Sequence, residues 1–281
     1  MRWKRGRRSS NVIDRRGARP ARRVAGGGLG ILILALVAMY FGVDPRIVMQ
    51  VGEQMGGGTV STPVQRSPEE EELVEFVRAV LADTEDTWHA IFKNGGGQYL
   101  EPKLVLFSGA TNSACGYAQA AMGPFYCPGD RQVYILSFYQ ELKNRFGAPG
   151  DFAQAYVIAH EVGHHVQTLL GITEQVQQAK ARVSRTEANA IQVRMELQAD
   201  CFSGVWANHA DRMRNLLEEG DIEEGLNAAA AIGDDTLQRK AQGRVVPESF
   251  THGSARQRQD WFTLGWKTGD INQCDTFSAN I

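Results

Sequence analysis

Apolar residues recur at intervals of three and four along residues 151–170, the spacing that places them on one face of a helix. Asp151 stands before them as a candidate N-cap, and Gly171 follows them as a candidate stop. The pattern therefore predicts a buried amphipathic helix. Its apolar positions are Phe152, Tyr156, Ala159, Val162, Val166 and Leu169.

The same spacing predicts four more helices. Ser67, Pro68 and Glu70 form a capping-box sequence, and the apolar stripe that follows them continues to about Phe92. The charged residues of this helix are interpreted as a solvated face rather than as a second metal cluster; they are Asp83, Glu85, Asp86 and His89. The other helices are predicted over residues 186–208, 221–232 and 254–266.

Two short runs have the composition of strands. They contain β-branched or aromatic residues, are bounded by turn residues, and run from Lys103 to Phe107 and from Gln132 to Leu136. The second run is a candidate edge strand that would bind an extended peptide, and an ordinary core strand is an equally good interpretation. Few strands among many helices predict a mostly helical α+β fold with a small β-sheet.

The distribution of charge divides the chain into two parts. The net charge is −2, yet residues 1–28 carry ten Arg or Lys and one acid, so the remainder is strongly acidic. Residues 24–43 are uncharged and long enough for a helix of about 30 Å, the thickness of a bilayer core. This positive-inside pattern favours an uncleaved transmembrane helix, with a cytoplasmic N terminus and a periplasmic or extracellular domain.

Two alternatives exist for the N-terminal region. A basic arm could bind nucleic acid, but the apolar segment behind it favours a membrane, so no nucleic-acid partner is expected. A cleaved signal peptide is disfavoured by the long basic region and by the lack of an A-x-A-like site after the span. The predicted divisions are a basic cytoplasmic arm (1–23), a transmembrane anchor (24–43), a flexible linker (44–67) and one domain (68–281).

None of the four cysteines belongs to a C-x-x-C pair, which argues against a zinc ribbon or a thioredoxin-like site. In an oxidising compartment two disulfides are expected. Proximity in sequence favours Cys115 with Cys127 and Cys201 with Cys274. Four buried free thiols are the alternative.

The helix predicted over residues 151–170 contains the sequence H-E-x-x-H. His160 and His164 are four residues apart, so both imidazoles lie on one helix face and can bind one tetrahedral Zn²⁺. Glu161 lies about 100° further round the helix, where its carboxylate can deprotonate a metal-bound water. His165 should face away from the metal. The segment therefore predicts a site for one zinc ion.

A catalytic zinc ion needs a third protein ligand and an open fourth position. Glu196 and Asp200 lie four apart on the helix predicted over residues 186–208, and Glu196 is the candidate ligand. Asp200 would accept a hydrogen bond from the free ring nitrogen of His160 or His164. A solvated Glu/Asp pair is the alternative interpretation. The other candidates for the third ligand are His165, His209 and His252.

The segments HEVGHH and ELQADCFSGVWA, with VLADTEDTW and GPFYCPGDRQVYI, resemble the bacterial neutral zinc metallopeptidase family of membrane-anchored peptidases. The resemblance runs from about Ser67 to the C terminus and includes the basic and apolar N-terminal layout. It implies zinc ligands at His160, His164 and Glu196, with Glu161 as the general base. It also implies a zincin-like, gluzincin-type domain in which the H-E-x-x-H helix packs on the E-x-x-x-D helix.

A shorter segment, His252 with Arg258 six residues later, is similar to a His and an Arg of membrane-embedded zinc proteases that process prenylated proteins. The similarity implies that His252 contacts the substrate or stabilises the oxyanion. It also implies that Arg258 orients the site. Packing roles are the alternative for both residues.

Together these features predict a membrane-anchored zinc peptidase that acts on a peptide or protein substrate. Glu161 would pass the proton of the attacking water to the leaving amine. The alternatives are a zinc amidase of another class, such as a deformylase, and a tethered scaffold that binds zinc without turnover. A deformylase uses a Cys ligand and a scaffold has no need of Glu161, so the peptidase is favoured.

Overall fold

The computed structural model describes residues 1–16, 67–119, 123–136 and 150–281. The predicted transmembrane anchor (24–43) lies outside these ranges, and so does the predicted linker except for its last residue. Across the described ranges, no helix has the length and apolar character needed to cross a membrane.

Seven α-helices account for most of the described residues. They are α1 (Pro68–Asn94), α2 (Asp151–Leu169), α3 (Ile172–Lys180), α4 (Arg185–Arg214), α5 (Asp221–Ala231), α6 (Asp234–Gln242) and α7 (Ala255–Thr268). All five helices that the periodicity predicts are present. The additional α3 and α6 are nine residues long, too short for an apolar period to stand out.

The starts of the helices follow from local hydrogen bonding. Ser67 accepts a hydrogen bond from the backbone of Glu70 and returns one to the Glu70 carboxylate, so the predicted capping box is confirmed. A second capping box begins α4 at Ser184. In α2, however, Gly150 is the N-cap and Asp151 is already the first helical residue.

Six strands form two small sheets in the described residues. The strands are β1 (Val12–Asp14), β2 (Lys103–Phe107), β3 (Ala110–Ser113), β4 (Gly116–Gln119), β5 (Phe125–Cys127) and β6 (Gln132–Leu136). The larger sheet has the order β1-β2-β6-β5, with β5 antiparallel to β6 and the other pairs parallel. The smaller sheet is the β3–β4 hairpin. The mostly helical α+β class is therefore confirmed.

Of the two interpretations of residues 132–136, the structure confirms the core strand and contradicts the edge strand. β6 pairs with β2 on one side and with β5 on the other. Val133, Tyr134 and Ile135 are buried accordingly. Among the described strands, β1 and β5 are the edges of this sheet.

Residues 1–16 pack on the domain and are not the separate arm that the sequence predicts. Residues 12–14 pair with β2 in parallel. Trp3 packs edge-on against Phe76, with ring centroids 5.5 Å apart. The amino group of Met1 lies 3.1 Å from Asp151 Oδ2 and 3.0 Å from Glu218 Oε2. Backbone pairing, aromatic packing and ion pairs therefore include this segment in the same folded unit as residues 67–281.

Two acids of α1 are buried, which corrects the interpretation of its charged residues as a solvated face. Glu85 is fully buried and accepts hydrogen bonds from Ser9 and Asn11. Asp83 pairs with Arg214 and accepts a hydrogen bond from the indole of Trp206. Burial of a carboxylate requires such partners, and the partners come from residues far away in the sequence.

Helix α4 packs against both α2 and α7. At the first contact, a Cβ on Gly163 would lie 3.1 Å from the carbonyl oxygen of Ala199. At the second, a Cβ on Gly265 would lie 2.0 Å from the carbonyl oxygen of Cys201. Glycine is therefore required at the α4–α7 contact, whereas an alanine in place of Gly163 would need a shift of a few tenths of an ångström.

Two disulfides link the cysteines in the predicted pairs, Cys115 with Cys127 and Cys201 with Cys274. The first joins the turn of the β3–β4 hairpin to the end of β5. The second joins α4 to the C-terminal segment. No free cysteine is left.

Candidate metal centre

Helices α2 and α4 bring three side chains with metal-binding atoms together. His160 and His164 lie one turn apart on α2, and Glu196 faces them from α4. One ligand atom from each residue lies within 4.8 Å of the others, and the three side chains are 7–12% exposed. Glu196 Oε2 is 3.3 Å from His160 Nε2 and 3.4 Å from His164 Nε2.

The close contact between α2 and α4 makes this cluster possible. Gly163 lies between the two histidines in sequence, and its Cα side packs against Ala199. An alanine there would require Ala199, on the helix of Glu196, to shift by a few tenths of an ångström. The glycine thus weakens α2 by about 1 kcal/mol relative to alanine but allows the approach of the second helix.

Asp200, one turn beyond Glu196, anchors one of the two imidazoles. Its Oδ1 atom is 2.9 Å from His160 Nδ1. Arg258 on α7 donates two hydrogen bonds to the same carboxylate, at 2.9 and 3.0 Å, and Tyr156 donates a third. The sequence left open whether Asp200 would contact His160 or His164, and the structure selects His160.

The carboxylates create a negative environment around the imidazoles. Burial alone would lower the pKa of His160, but the carboxylates of Asp200 and Glu196 raise it to about 9. Burial also lowers the pKa of His164, but the Glu196 carboxylate raises it more, so the pKa lies above its usual value. Groups that favour a proton on these rings also favour a cation between them.

Glu161 follows His160 on α2 and is itself buried. Burial raises the pKa of its carboxyl group, against the attraction of the two neighbouring imidazoles. No hydrogen bond or ion pair to another described side chain satisfies it. The carboxylate therefore follows His160 on α2 and is outside the group of metal-binding atoms.

His252 lies between α6 and α7, with its side chain about half exposed. Its Nδ1 atom is 3.3 Å from Asp234 Oδ1, and this contact raises the pKa of His252 against the effect of partial burial. The other carboxylate oxygen of Asp234 accepts the backbone N–H groups of residues 251–253. The next residue, Gly253, packs beside Val193 and Leu197 on α4, the helix that carries Glu196.

The two remaining candidate ligands lie away from the cluster. His165 contacts the carbonyl oxygen of Leu100 through Nε2 and the hydroxyl of Tyr126 through Nδ1. It therefore faces away from the other two imidazoles, as its position on the helix predicts. His209 contacts the carbonyl oxygen of Gly269.

The donor set fits zinc. Two imidazole nitrogens and one carboxylate oxygen are the protein ligands of one common class of catalytic zinc site, which leaves a fourth position for water. The Asp200 contact to the outer nitrogen of His160 is the kind of support that metal-binding histidines normally have. Because the site is largely shielded from bulk water, the attraction between its carboxylates and a bound cation is weakly screened.

Several residues around the cluster were not found by sequence reasoning. Tyr156 lies one turn before His160 on α2, and Gln167 lies three residues after His164, so helical spacing could have indicated both. Asp234 carried no signal, because its contact to His252 exists only in the folded protein.

The fold and the site define a mostly helical α+β protein with an H-E-x-x-H helix and a glutamate from a second helix facing it. The chain belongs to the family described as "Putative neutral zinc metallopeptidase", whose model matches residues 1–277. The resemblance seen in the sequence is thereby confirmed, and the match includes the N-terminal residues.

Two relatives are similar to the chain over most or all of its length. The chain is 50% identical to "Uncharacterized protein YpfJ" of Escherichia coli (strain K12), over 100% of both chains. It is 45% identical to "Uncharacterized protein Rv2575" of Mycobacterium tuberculosis (strain ATCC 25618 / H37Rv), over 73% of this chain and 72% of the relative. No solved structure matches the chain.

Proposed function

We propose that this protein hydrolyses peptide bonds in peptide or protein substrates, with one zinc ion held by His160, His164 and Glu196. The observation that carries the proposal is the convergence of these three buried side chains beside the buried carboxylate of Glu161. When bound, zinc would activate a water molecule and polarise the scissile carbonyl group.

In this proposal, Glu161 is the general base. It takes a proton from the attacking water and later donates it to the leaving amine. Its position on α2, next to His160 but outside the ligand set, suits this role. A scaffold that only retained zinc would gain nothing from a buried carboxylate at this position.

His252 stabilises the negative charge that develops on the substrate oxygen. Its neighbour Gly253 packs beside Val193 and Leu197 on the helix of Glu196, and Asp234 contacts the His252 ring at Nδ1. A hydrogen-bond donor that is already oriented stabilises a developing oxyanion without a cost of reorganisation. Asp200 and Arg258 do not contact the substrate in this proposal; they position His160.

The domain lies outside the cytoplasm in this proposal. Its two disulfides are of the kind that form and persist in oxidising compartments. Attachment to a membrane through residues 24–43 stays a prediction, since that segment lies outside the described residues.

The test uses the purified full-length chain, a peptide library and elemental analysis. Glu161→Gln should retain zinc but lower kcat/KM by about 10²- to 10⁴-fold, the usual contribution of a general acid–base group. His160→Ala should lose the zinc. Glu223→Gln, at an exposed position of α5, is the matched control and should behave as the native protein.

Undiminished hydrolysis by the Glu161→Gln variant would rule out the mechanism. Stoichiometric zinc with no cleavage of any library peptide would instead favour the scaffold.

A further inference from the structure

We propose that Gln167 and Gln198 form an amide relay that positions His164 for metal binding. The relay is defined by three side chains and one carbonyl group, in the order His164, Gln167, Gln198 and the carbonyl of Cys274. Gln167 Oε1 is 2.8 Å from His164 Nδ1. Gln167 Nε2 is 3.0 Å from Gln198 Oε1, and Gln198 Nε2 is 2.9 Å from the Cys274 carbonyl oxygen.

The donors and acceptors of the relay allow only one orientation of each amide. A backbone carbonyl can only accept, so the amide nitrogen of Gln198 must face Cys274. The Gln198 oxygen then faces Gln167, whose nitrogen also donates to the Met195 carbonyl oxygen at 2.7 Å. The oxygen of Gln167 is left to face His164.

This orientation fixes the tautomer of the neutral His164 ring. Because an amide oxygen can only accept, His164 Nδ1 must carry the hydrogen. Its Nε2 atom therefore keeps the free electron pair, and this is the nitrogen that faces Glu196 at 3.4 Å. The relay thus directs the metal-binding nitrogen of His164 towards Glu196 and the proposed zinc site.

The relay is buried, and a disulfide anchors the end that lies away from His164. Gln167 is fully buried and Gln198 is 6% exposed, so water cannot easily replace the lost hydrogen bonds. Its far end, Cys274, is joined by a disulfide to Cys201, which lies on the same helix as Gln198. The C-terminal segment is therefore part of the support of the metal centre.

The two imidazoles are supported by different chemistry. His160 bonds to the carboxylate of Asp200, which Arg258 neutralises, whereas His164 bonds to a neutral amide. The relay orients His164 without adding a further buried charge. This inference rests on the proposed zinc site, because it assigns Gln167 and Gln198 a role in positioning one of its ligands.

The test compares Gln167→Met and Gln198→Met with Gln154→Met in the full-length protein. Methionine keeps the length of the side chain but removes the amide. Gln154 is a buried glutamine on the same helix whose amide nitrogen bonds only weakly, to the Gly150 carbonyl oxygen at 3.5 Å. It is therefore the matched control.

Zinc affinity, measured by competition with a chelator, should fall about 10- to 100-fold in Gln167→Met, the usual loss when a partner of a ligand is removed. Gln198→Met should show a smaller loss in the same direction. Gln154→Met should bind zinc as the native protein does. Equal affinity in Gln167→Met and the control, with both variants folded, would overturn the relay.

A second measurement does not depend on zinc. Nitrogen-15 chemical shifts of the native, metal-free protein at alkaline pH should show His164 with its hydrogen on Nδ1. The opposite tautomer would overturn the relay whether or not the variants fold. If the native protein has the expected tautomer but binds no zinc, the proposed function fails and the geometry of the relay stands.

Discussion

Arg258 shows how a single buried residue can support a site that it does not touch. The guanidinium group is 2% exposed and lies against Asp200 and Tyr156. Asp200 in turn accepts the hydrogen bond from His160. An isolated buried carboxylate would be strongly destabilising, so Arg258 maintains the anionic partner of His160.

We expect Arg258→Met to lower the free energy of unfolding by about 3–5 kcal/mol, because it leaves Asp200 buried without its counter-ion. Arg256→Met is the matched control, since the Arg256–Asp260 pair is exposed on the same helix and should contribute no more than about 1 kcal/mol. Urea unfolding monitored by circular dichroism measures both. Equal stability of the two variants would mean that Arg258 acts only by packing.

Sequence reasoning finds residues whose chemistry is encoded locally. His160, Glu161 and His164 are identified because helical spacing alone places them, and Glu196 and Asp200 because they form a second pair at that spacing. Gln198 and Asp234 are different. Their importance arises from partners on other segments, and a glutamine or an aspartate has no distinctive pattern before those partners are known.

At the scale of elements, the crossing of α4 and α7 depends on the absence of two side chains. A Cβ on Gly204 would lie 2.1 Å from the carbonyl oxygen of Phe262, and one on Gly265 would lie 2.0 Å from that of Cys201. The two backbones are therefore in direct contact. This crossing holds Arg258 on α7 close to Asp200 on α4.

Gly265→Ala distinguishes helix propensity from packing, because the two effects have opposite signs. Propensity alone would stabilise α7 by about 1 kcal/mol. The close contact with Cys201 should instead lower the free energy of unfolding by about 1–3 kcal/mol or more. Gly97→Ala, whose Cβ would meet nothing nearer than 3.6 Å, is the control and should change it by less than about 0.5 kcal/mol. A stabilised Gly265→Ala variant would contradict the observed crossing.

Elements with a long apolar period could be predicted from the sequence, whereas the elements that pack or pair with them could not. Periodicity predicts the helices α1, α2, α4, α5 and α7, and composition predicts the strands β2 and β6. β1 has only three residues within a basic segment, so its pairing with β2 has no local signal. Composition could not decide between an edge and a core position for β6, because pairing partners on both sides are a property of the folded sheet.

At the scale of the whole molecule, residues 1–16 are required by the buried groups of the domain. The Glu85 carboxylate is fully buried and is bonded by Arg7, Ser9 and Asn11, at 2.6–2.8 Å. Without these residues it would be a buried charge lacking those partners. Packing of the N-terminal segment on the domain, as the structure has it, puts both on the same side of any membrane. A single crossing by residues 24–43, with a cytoplasmic N terminus and an external domain, would separate them.

We therefore expect positions 4 and 213 to have the same sidedness in cells. All four native cysteines form disulfides, so Lys4→Cys and Met213→Cys each introduce one reactive thiol. Both side chains are more than half exposed. A membrane-impermeant maleimide should label both variants in intact spheroplasts, or both only after permeabilisation, and it should leave the native protein unlabelled. Labelling of Met213→Cys from outside and of Lys4→Cys only after permeabilisation would show that the N-terminal segment does not dock on the domain in the cell. Glu85 would then need other partners, and the single-crossing anchor would be restored.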